Sequence, residues 1–176
     1  MEPTSESTKL EGDGQAYEYL AAGKLKGCKS LITGGEHVSH PSCSEAPLIN
    51  SSCSSGIGRA VAVLFAREGS DVTIVYLPEE QADAEETKAM VEKEGRKCLL
   101  VAGDLMDNAK CKDAVQKHVD EYGVIHVLVN NASKQIMCEE FAEIDLDNVE
   151  STFRSNILQM FAMTKFSLPH MKKGAS

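Results

Sequence analysis

Short apolar runs alternate with longer, charged, periodic stretches from residue 24 onward. Residues 29–33 (KSLIT) form a compact apolar run that ends at Gly34-Gly35, the pattern of a buried strand followed by a turn. Gly56-Ile57-Gly58 then opens an amphipathic stretch, RAVAVLFAREG, which predicts a helix closed by Gly69 in the C′ position. A β-branched run at 71–76 (DVTIVY) predicts a strand, and the Ala/Glu/Lys-rich stretch 79–94 predicts a helix ended by Gly95. The same alternation continues with a strand at 97–102, a helix at 107–122 ended by Gly123, a strand at 125–129, and a last helix from about 147 to 170.

Repeated strand–helix units with near-continuous apolar strands predict an α/β fold, a parallel sheet covered by helices on both faces. Its crossovers are expected to be right-handed. Two segments break the pattern. Residues 1–23 are acidic and weakly periodic, and are read as a mostly disordered tail with a short ordered piece around Tyr17–Ala22. Residues 36–53 show neither helical nor strand period and carry two Pro and five Ser, which reads as an irregular inserted loop. The remainder, 24–176, reads as one incomplete α/β domain.

Composition narrows the function. Eighteen Lys+Arg against 27 Asp+Glu give a formal charge of −9, which argues against nucleic-acid partners and anionic membranes. No run of about 18 apolar residues is present to span a bilayer, and the acidic start MEPTSESTKLEGDG lacks the apolar core of a secretory signal. A cytoplasmic location and free thiols are therefore expected for the six cysteines. His37, His40, Cys43 and Cys53 have zinc-ligand chemistry, but their spacing fits no standard site, so no metal is expected.

The chemistry-bearing residues cluster at predicted strand ends. With 36–53 set aside, the first turn reads LITGG–SSGIGRAVA, a T-G-x-x-x-G-x-G pattern built from Thr33, Gly34, Gly56 and Gly58. Glycines there let backbone approach a pyrophosphate, and the following helix offers free N–H groups and a positive dipole end. Gly103-Asp104-Leu105 follows the third strand and Asn130-Asn131-Ala132 the fourth. In open parallel sheets, ligands bind beyond such strand ends. In the last helix, Val149, Phe153, Ile157, Met160, Thr164 and Leu168 form one apolar stripe, read as core or dimer face, with Asn156 at its edge. From position alone Asn156 is equally well a structural amide bonded to neighbouring backbone.

These motifs, with VTIVYLPEE and MFAMTKFSLPHMK, resemble the short-chain dehydrogenase/reductase family, and within it the glucose/ribitol dehydrogenase-like subgroup. The likeness spans residues 21–35 and 54–176. It implies a Rossmann-type doubly wound sheet, here with strand order 3-2-1-4. It implies a cofactor site formed by Thr33, Gly34, Gly56, Ile57, Gly58, Tyr76, Asp104, Leu105, Asn130, Asn131 and Ala132. Gly34, Gly56 and Gly58 would shape the pyrophosphate turn, Asp104 with Leu105 would hold adenine, and Asn156 matches the catalytic Asn that helps hold a proton-relay water. The cofactor is NAD or NADP: Tyr76 and Leu77 stand where an acidic residue would read the ribose hydroxyls, and no Arg or Lys precedes Gly56.

Two departures shape the expectation. The 18 residues 36–53 split the glycine turn, which should impair cofactor binding by sterics; lengthening the loop costs only roughly 1.5 kcal/mol of closure entropy. The family's catalytic Ser and Tyr-x-x-x-Lys pair do not occur in these 176 residues: none of Tyr17, Tyr19, Tyr76 and Tyr122 has Lys four residues later. The chain reads as the cofactor-binding half of an oxidoreductase moving hydride between NAD(P) and a sugar, polyol or small carbonyl. By itself it is expected to be inactive and poorly soluble, with an exposed apolar edge strand. The complete enzyme is expected to be a homo-oligomer. The alternatives are a catalytically inactive dinucleotide- or partner-binding fragment, or a faulty gene model with a retained intron and an early end.

Overall fold

The computed structural model describes residues 9–12, 15–34, 53–136 and 138–172. Its strands are β1 (Lys9–Gly12), β2 (Gln15–Glu18), β3 (Lys29–Thr33), β4 (Asp71–Tyr76), β5 (Cys98–Ala102) and β6 (Val127–Asn130). The main helices are α1 (Cys53–Arg67), α2 (Gln81–Lys93), α3 (Asn108–Tyr122), α4 (Leu146–Phe153) and α5 (Gln159–Ser167).

β3 to β6 form one parallel sheet in the order β5-β4-β3-β6. Counted from β3, this is 3-2-1-4, the Rossmann order that the motifs imply. Leu31 sits beside Thr73 on one side and Leu128 on the other. Alternate residues of β3 feed opposite faces, as strand geometry requires. Leu31 joins Val75, Val115, Ile125 and Met163 in the cluster under α3 and α5, whereas Ile32 joins Ala62, Ala66, Val72 and Val91 under α1 and α2. Each fully buried Leu or Ile contributes about 1.5–3 kcal/mol of transfer free energy, so both faces drive the sheet's assembly.

Helix ends follow local chemistry. Asp107 caps α3 by accepting from Ala109 N–H at 2.8 Å. α1 closes in a Schellman motif: Gly69 N–H donates to Ala66 and Ser70 N–H to Phe65. Gly69 has φ +99°, and a Cβ there would lie 2.9 Å from Lys26 Cα, so no other residue fits without a shift.

The structure refines three expectations. Within the tail read as mostly disordered, β1 and β2 pair antiparallel around residues 13–14. The chain that follows is tied down by Glu68. This carboxylate accepts from the Tyr19 hydroxyl, from Ala22 N–H at 3.2 Å and from Lys24 N–H at 2.5 Å. The Tyr19 hydrogen bond above all holds its carboxyl below the usual carboxylate range.

Second, the last helix runs unbroken over 146–170, close to the predicted 147–170, but is α-helical only in part. A π-helical segment, Arg154–Leu158, separates α4 from α5, and a 3-10 turn, Leu168–His170, ends it. Third, the apolar stripe, which the sequence leaves open between core and dimer face, faces outward. Phe153, Ile157 and Leu168 are exposed, while Ser155, Gln159, Ala162, Met163 and Ser167 are buried. The buried side of α5 packs against α3 and β6.

The loop expected at 36–53 lies outside the described residues, apart from Cys53, whose backbone begins α1. The cluster His37, His40 and Cys43 lies there too. Among the described residues no group of ligands could hold a metal ion. No helix among them is long and apolar enough to cross a membrane.

Candidate functional site

The site lies where β3, β4, β5 and β6 end. Thr33, the last residue of β3, is buried and organises it. Its hydroxyl accepts from Asn131 N–H and Ala132 N–H, both at 2.9 Å, and donates to Val129 C=O at 3.3 Å. One hydroxyl therefore fixes the path of the chain leaving β6.

Gly34 follows. Its N–H donates to Val75 C=O at 2.6 Å, and a Cβ at Gly34 would lie 2.8 Å from that same oxygen. Only glycine lets the chain turn this close to β4. Gly58 stands opposite, in the first half of α1: a Cβ there would lie 3.9 Å from Gly34 Cα and 3.0 Å from Asn131 Nδ2. The two glycines, 24 positions apart in sequence, thus meet across the turn despite the intervening 36–53. A Cβ on Gly56 would meet nothing within 4 Å, so this backbone faces open space.

Two adjoining clefts open at these strand ends. The first, of about 410 Å³, is lined by Gly34, Gly58, Arg59, Tyr76, Glu80 and Asp83 among others. The second, of about 240 Å³, is lined by Gly34, Tyr76, Leu77, Glu80, Gly103, Leu105, Ala132 and Gln159 among others. Tyr76 is almost fully buried between them and bonds Gln81 through its hydroxyl. Arg59 is held by Thr87 Oγ1 at 3.1 Å, Glu86 at 3.0 Å and Asp83 at 3.4 Å.

The structure brings Gly34, Gly58, Tyr76, Leu105 and Ala132 to the cleft walls. Asn131 packs against Gly58, and Asn130 contacts Thr164 at 3.5 Å. Ile57 is largely exposed. Asp104 is exposed and accepts from Met106 N–H at 2.8 Å; it is not among the residues lining either cleft.

Asn156 lies within the π segment. Its Oδ1 accepts from Lys134 N–H at 2.6 Å and from the Ser155 hydroxyl at 3.0 Å, and its Nδ2 donates to Lys134 C=O at 2.8 Å. The amide binds backbone, as the structural reading held, but backbone 22 residues away rather than its neighbours'.

Sequence reasoning missed Gln159 and Glu80. Gln159 Nε2 donates to Ala132 C=O at 2.7 Å, while its Oε1 and one oxygen of Glu80 are buried without a partner. Glutamine in a helix carries no local signal of this kind. The glycine cradle and the two unpaired acceptors fit a ligand with a close-lying polar backbone and N–H or O–H donors.

Two buried thiols are silenced. Burial pushes the Cys98 thiol up to about 12 and the Cys111 thiol up to about 11, so neither is a nucleophile near neutrality. Burial also raises Tyr122, whose hydroxyl reaches Val72 C=O near the start of β4, at the far end of the sheet from the clefts.

Comparison with known proteins places this geometry. A family model described as short chain dehydrogenase matches residues 51–176. The chain is 43% identical over 159 residues to oxidoreductase YhdF of Bacillus subtilis, covering 90% of this chain and 48% of that protein. It is 35% identical over 164 residues to NADPH-dependent aldehyde reductase 1 of Arabidopsis thaliana, covering 90% and 51% respectively. It is 34% identical over 163 residues to glucose and ribitol dehydrogenase of Daucus carota, covering 90% and 50%. The chain spans about half the length of the curated relatives it matches. Among solved structures, NADH-dependent reductase A1-R′ complexed with NAD superposes with a TM-score of 0.67 at 26% identity, covering 84% of this chain and 54% of that one.

Proposed function

Since the chain belongs to the short-chain dehydrogenase family, we propose that it forms the cofactor-binding part of an NAD(P)-dependent oxidoreductase. The substrate class we assign to the whole protein is a sugar, polyol or small carbonyl. The observation that carries this reading is the meeting of Gly34 and Gly58 at the mouth of clefts formed by the strand ends. Bare backbone at that point admits a pyrophosphate, and the N-terminus of α1 supplies unpaired N–H groups and a positive dipole end. Gly34, Gly56 and Gly58 would hold the pyrophosphate, while Tyr76, Leu105 and Ala132 would wall the adenosine half. Bound NAD(P) supplies hydride acceptance or donation.

The chain's own residues position and shield. Thr33 and Asn131 keep the floor of the site in register. Asn156 anchors the strand-end loop through Lys134, and in the whole protein we assign it to the proton relay. The acid–base work needs a Tyr with Lys four residues on, which these 176 residues do not contain. We therefore expect this chain to bind dinucleotide without turning over substrate, and the whole protein to act as a homo-oligomer, away from nucleic acids and membranes. The insertion of residues 36–53 between Gly34 and Gly58 would weaken cofactor affinity. A cytoplasmic location is part of this proposal.

The test is a titration of purified chain with NADH and with NADPH, followed by enhanced nicotinamide fluorescence and by calorimetry. Saturable binding of at least one supports the reading. Absence of both at millimolar ligand overturns it. Carbonyl-dependent oxidation of NAD(P)H by the purified chain would overturn the expected inactivity.

A further inference from the structure

We propose that the chain up to Lys24 is a releasable strap, latched by the carboxylate of Glu68 and freed by its protonation while the parallel sheet stays folded. This inference is independent of the dinucleotide reading. Residues 20–24 are exposed, Leu20 at 85%, so apolar burial contributes little to holding this stretch. Its attachment is polar and converges on one residue. Glu68 is only 5% exposed, and its carboxylate takes the Tyr19 hydroxyl, Ala22 N–H at 3.2 Å and Lys24 N–H at 2.5 Å. Arg67 adds a bond from Nη1 to Tyr19 C=O at 3.2 Å.

The attachment changes character after Lys24. Leu25 N–H donates to Glu68 C=O and Gly27 N–H to Gly69 C=O, both at 3.1 Å, and Asp71 N–H donates to Cys28 C=O at 3.0 Å. These backbone bonds do not involve the carboxylate and lead straight into β3, so the chain from Leu25 onward belongs to the framework of the sheet. Gly23 lies at the boundary with φ +72°, and a Cβ there would meet nothing within 4 Å, which leaves the backbone room to swing. β2 ends at Glu18, next to Tyr19, so the hairpin moves with the strap.

Acid acts on the latch through charge. Tyr19 and Lys24 face the carboxylate from the strap; beside it, Arg67 pairs with Glu94 at the cap of α2. The hydrogen bonds favour the ionised form, and the Tyr19 bond above all lowers the carboxyl below its ordinary 4.5. The latch is therefore complete above that value and is lost as pH falls through the lowered one.

Amide exchange on the full chain is the test, with protection at Ala22 and Lys24 compared with that at Leu31 and Ile32 in β3. Near neutral pH, Glu68→Ala should reduce protection at Ala22 and Lys24 at least about tenfold and leave β3 unchanged. In the wild type, acid should free Ala22 and Lys24 at a higher pH than it frees β3. Tyr19→Phe, which removes one donor to the carboxylate, should move that release to higher pH still. Unchanged protection at Ala22 and Lys24 in folded Glu68→Ala overturns the proposal. So does acid release of these amides together with β3 in the wild type, because the arm would then open only with the sheet. If Glu68→Ala does not fold, the acid titrations of wild type and Tyr19→Phe decide. Separate release that shifts upward in Tyr19→Phe supports the strap, and release coincident with β3, or without a shift, overturns it.

Discussion

The side-chain amide of Asn156 closes on both backbone groups of Lys134, taking its N–H at 2.6 Å and its C=O at 2.8 Å. The two residues lie 22 apart, one in the π segment between α4 and α5, the other in the loop leaving β6. This clamp ties the last helix to the strand-end loop on the rim of the site. Asn156→Leu removes both bonds and should cost about 1–3 kcal/mol. Asn156→Asp keeps the acceptor and should lose less. Urea unfolding of the three proteins checks the order, and faster amide exchange at Lys134 in Asn156→Leu would locate the effect.

Thr33 offers a sharper case, because one hydroxyl serves two donors. Thr33→Val keeps the shape but leaves Asn131 N–H and Ala132 N–H without their acceptor. A loss of about 2–4 kcal/mol is expected, at roughly 1–2 kcal/mol per unsatisfied buried group. Thr33→Ser should recover most of it. Equal stability of Thr33→Val and wild type in denaturant titrations would show that the loop does not depend on this hydroxyl.

The glycines separate folding from binding. Gly34→Ala forces a Cβ to 2.8 Å from Val75 C=O and should destabilise by about 1–3 kcal/mol. Gly56→Ala meets open space within α1 and should stabilise the helix by up to about 1 kcal/mol. If Gly56 faces the cofactor, Gly56→Ala should nevertheless bind NADH or NADPH more weakly. Thermal melts paired with dinucleotide titration read both effects on the same samples.

His118 makes stability pH-dependent. It is buried among Thr73, whose hydroxyl lies 2.7 Å from Nδ1, and Val124, whose C=O lies 3.1 Å from Nε2. Burial lowers it from 6.5 to about 4. The unfolded chain therefore takes up a proton near pH 6.5 that the folded chain refuses until about pH 4. Stability from this group is complete above pH 6.5 and declines as pH falls through that window, by about 3 kcal/mol at most. Comparing urea midpoints at about pH 7 and about pH 5 for wild type and His118→Gln should show the smaller pH dependence in the variant.

Much of the scaffold is written locally. Residues 29–33 and 71–76 become β3 and β4 with the bounds their apolar runs predict, because a strand buried on both faces needs continuous apolar sequence. Gly69 ends α1 because its φ of +99° is one that L residues with side chains resist. The glycine turn, too, is legible as chemistry, since bare backbone is required wherever a chain approaches another closely. Other features depend on partners distant in sequence. Helical periodicity assumes a constant turn, so it could not anticipate the π segment at 154–158, nor that Phe153, Ile157 and Leu168 would face outward while Gln159 and Ser167 are buried. The hairpin and the arm after it are placed by pairing and by Glu68, a contact across more than 40 residues. Gln159 became a candidate only when Ala132 claimed its N–H donor and left its oxygen unpaired beside the cleft. Local sequence carries conformational preference and apolar content; which polar atoms are satisfied, and which remain for a ligand, is decided by the folded chain's packing.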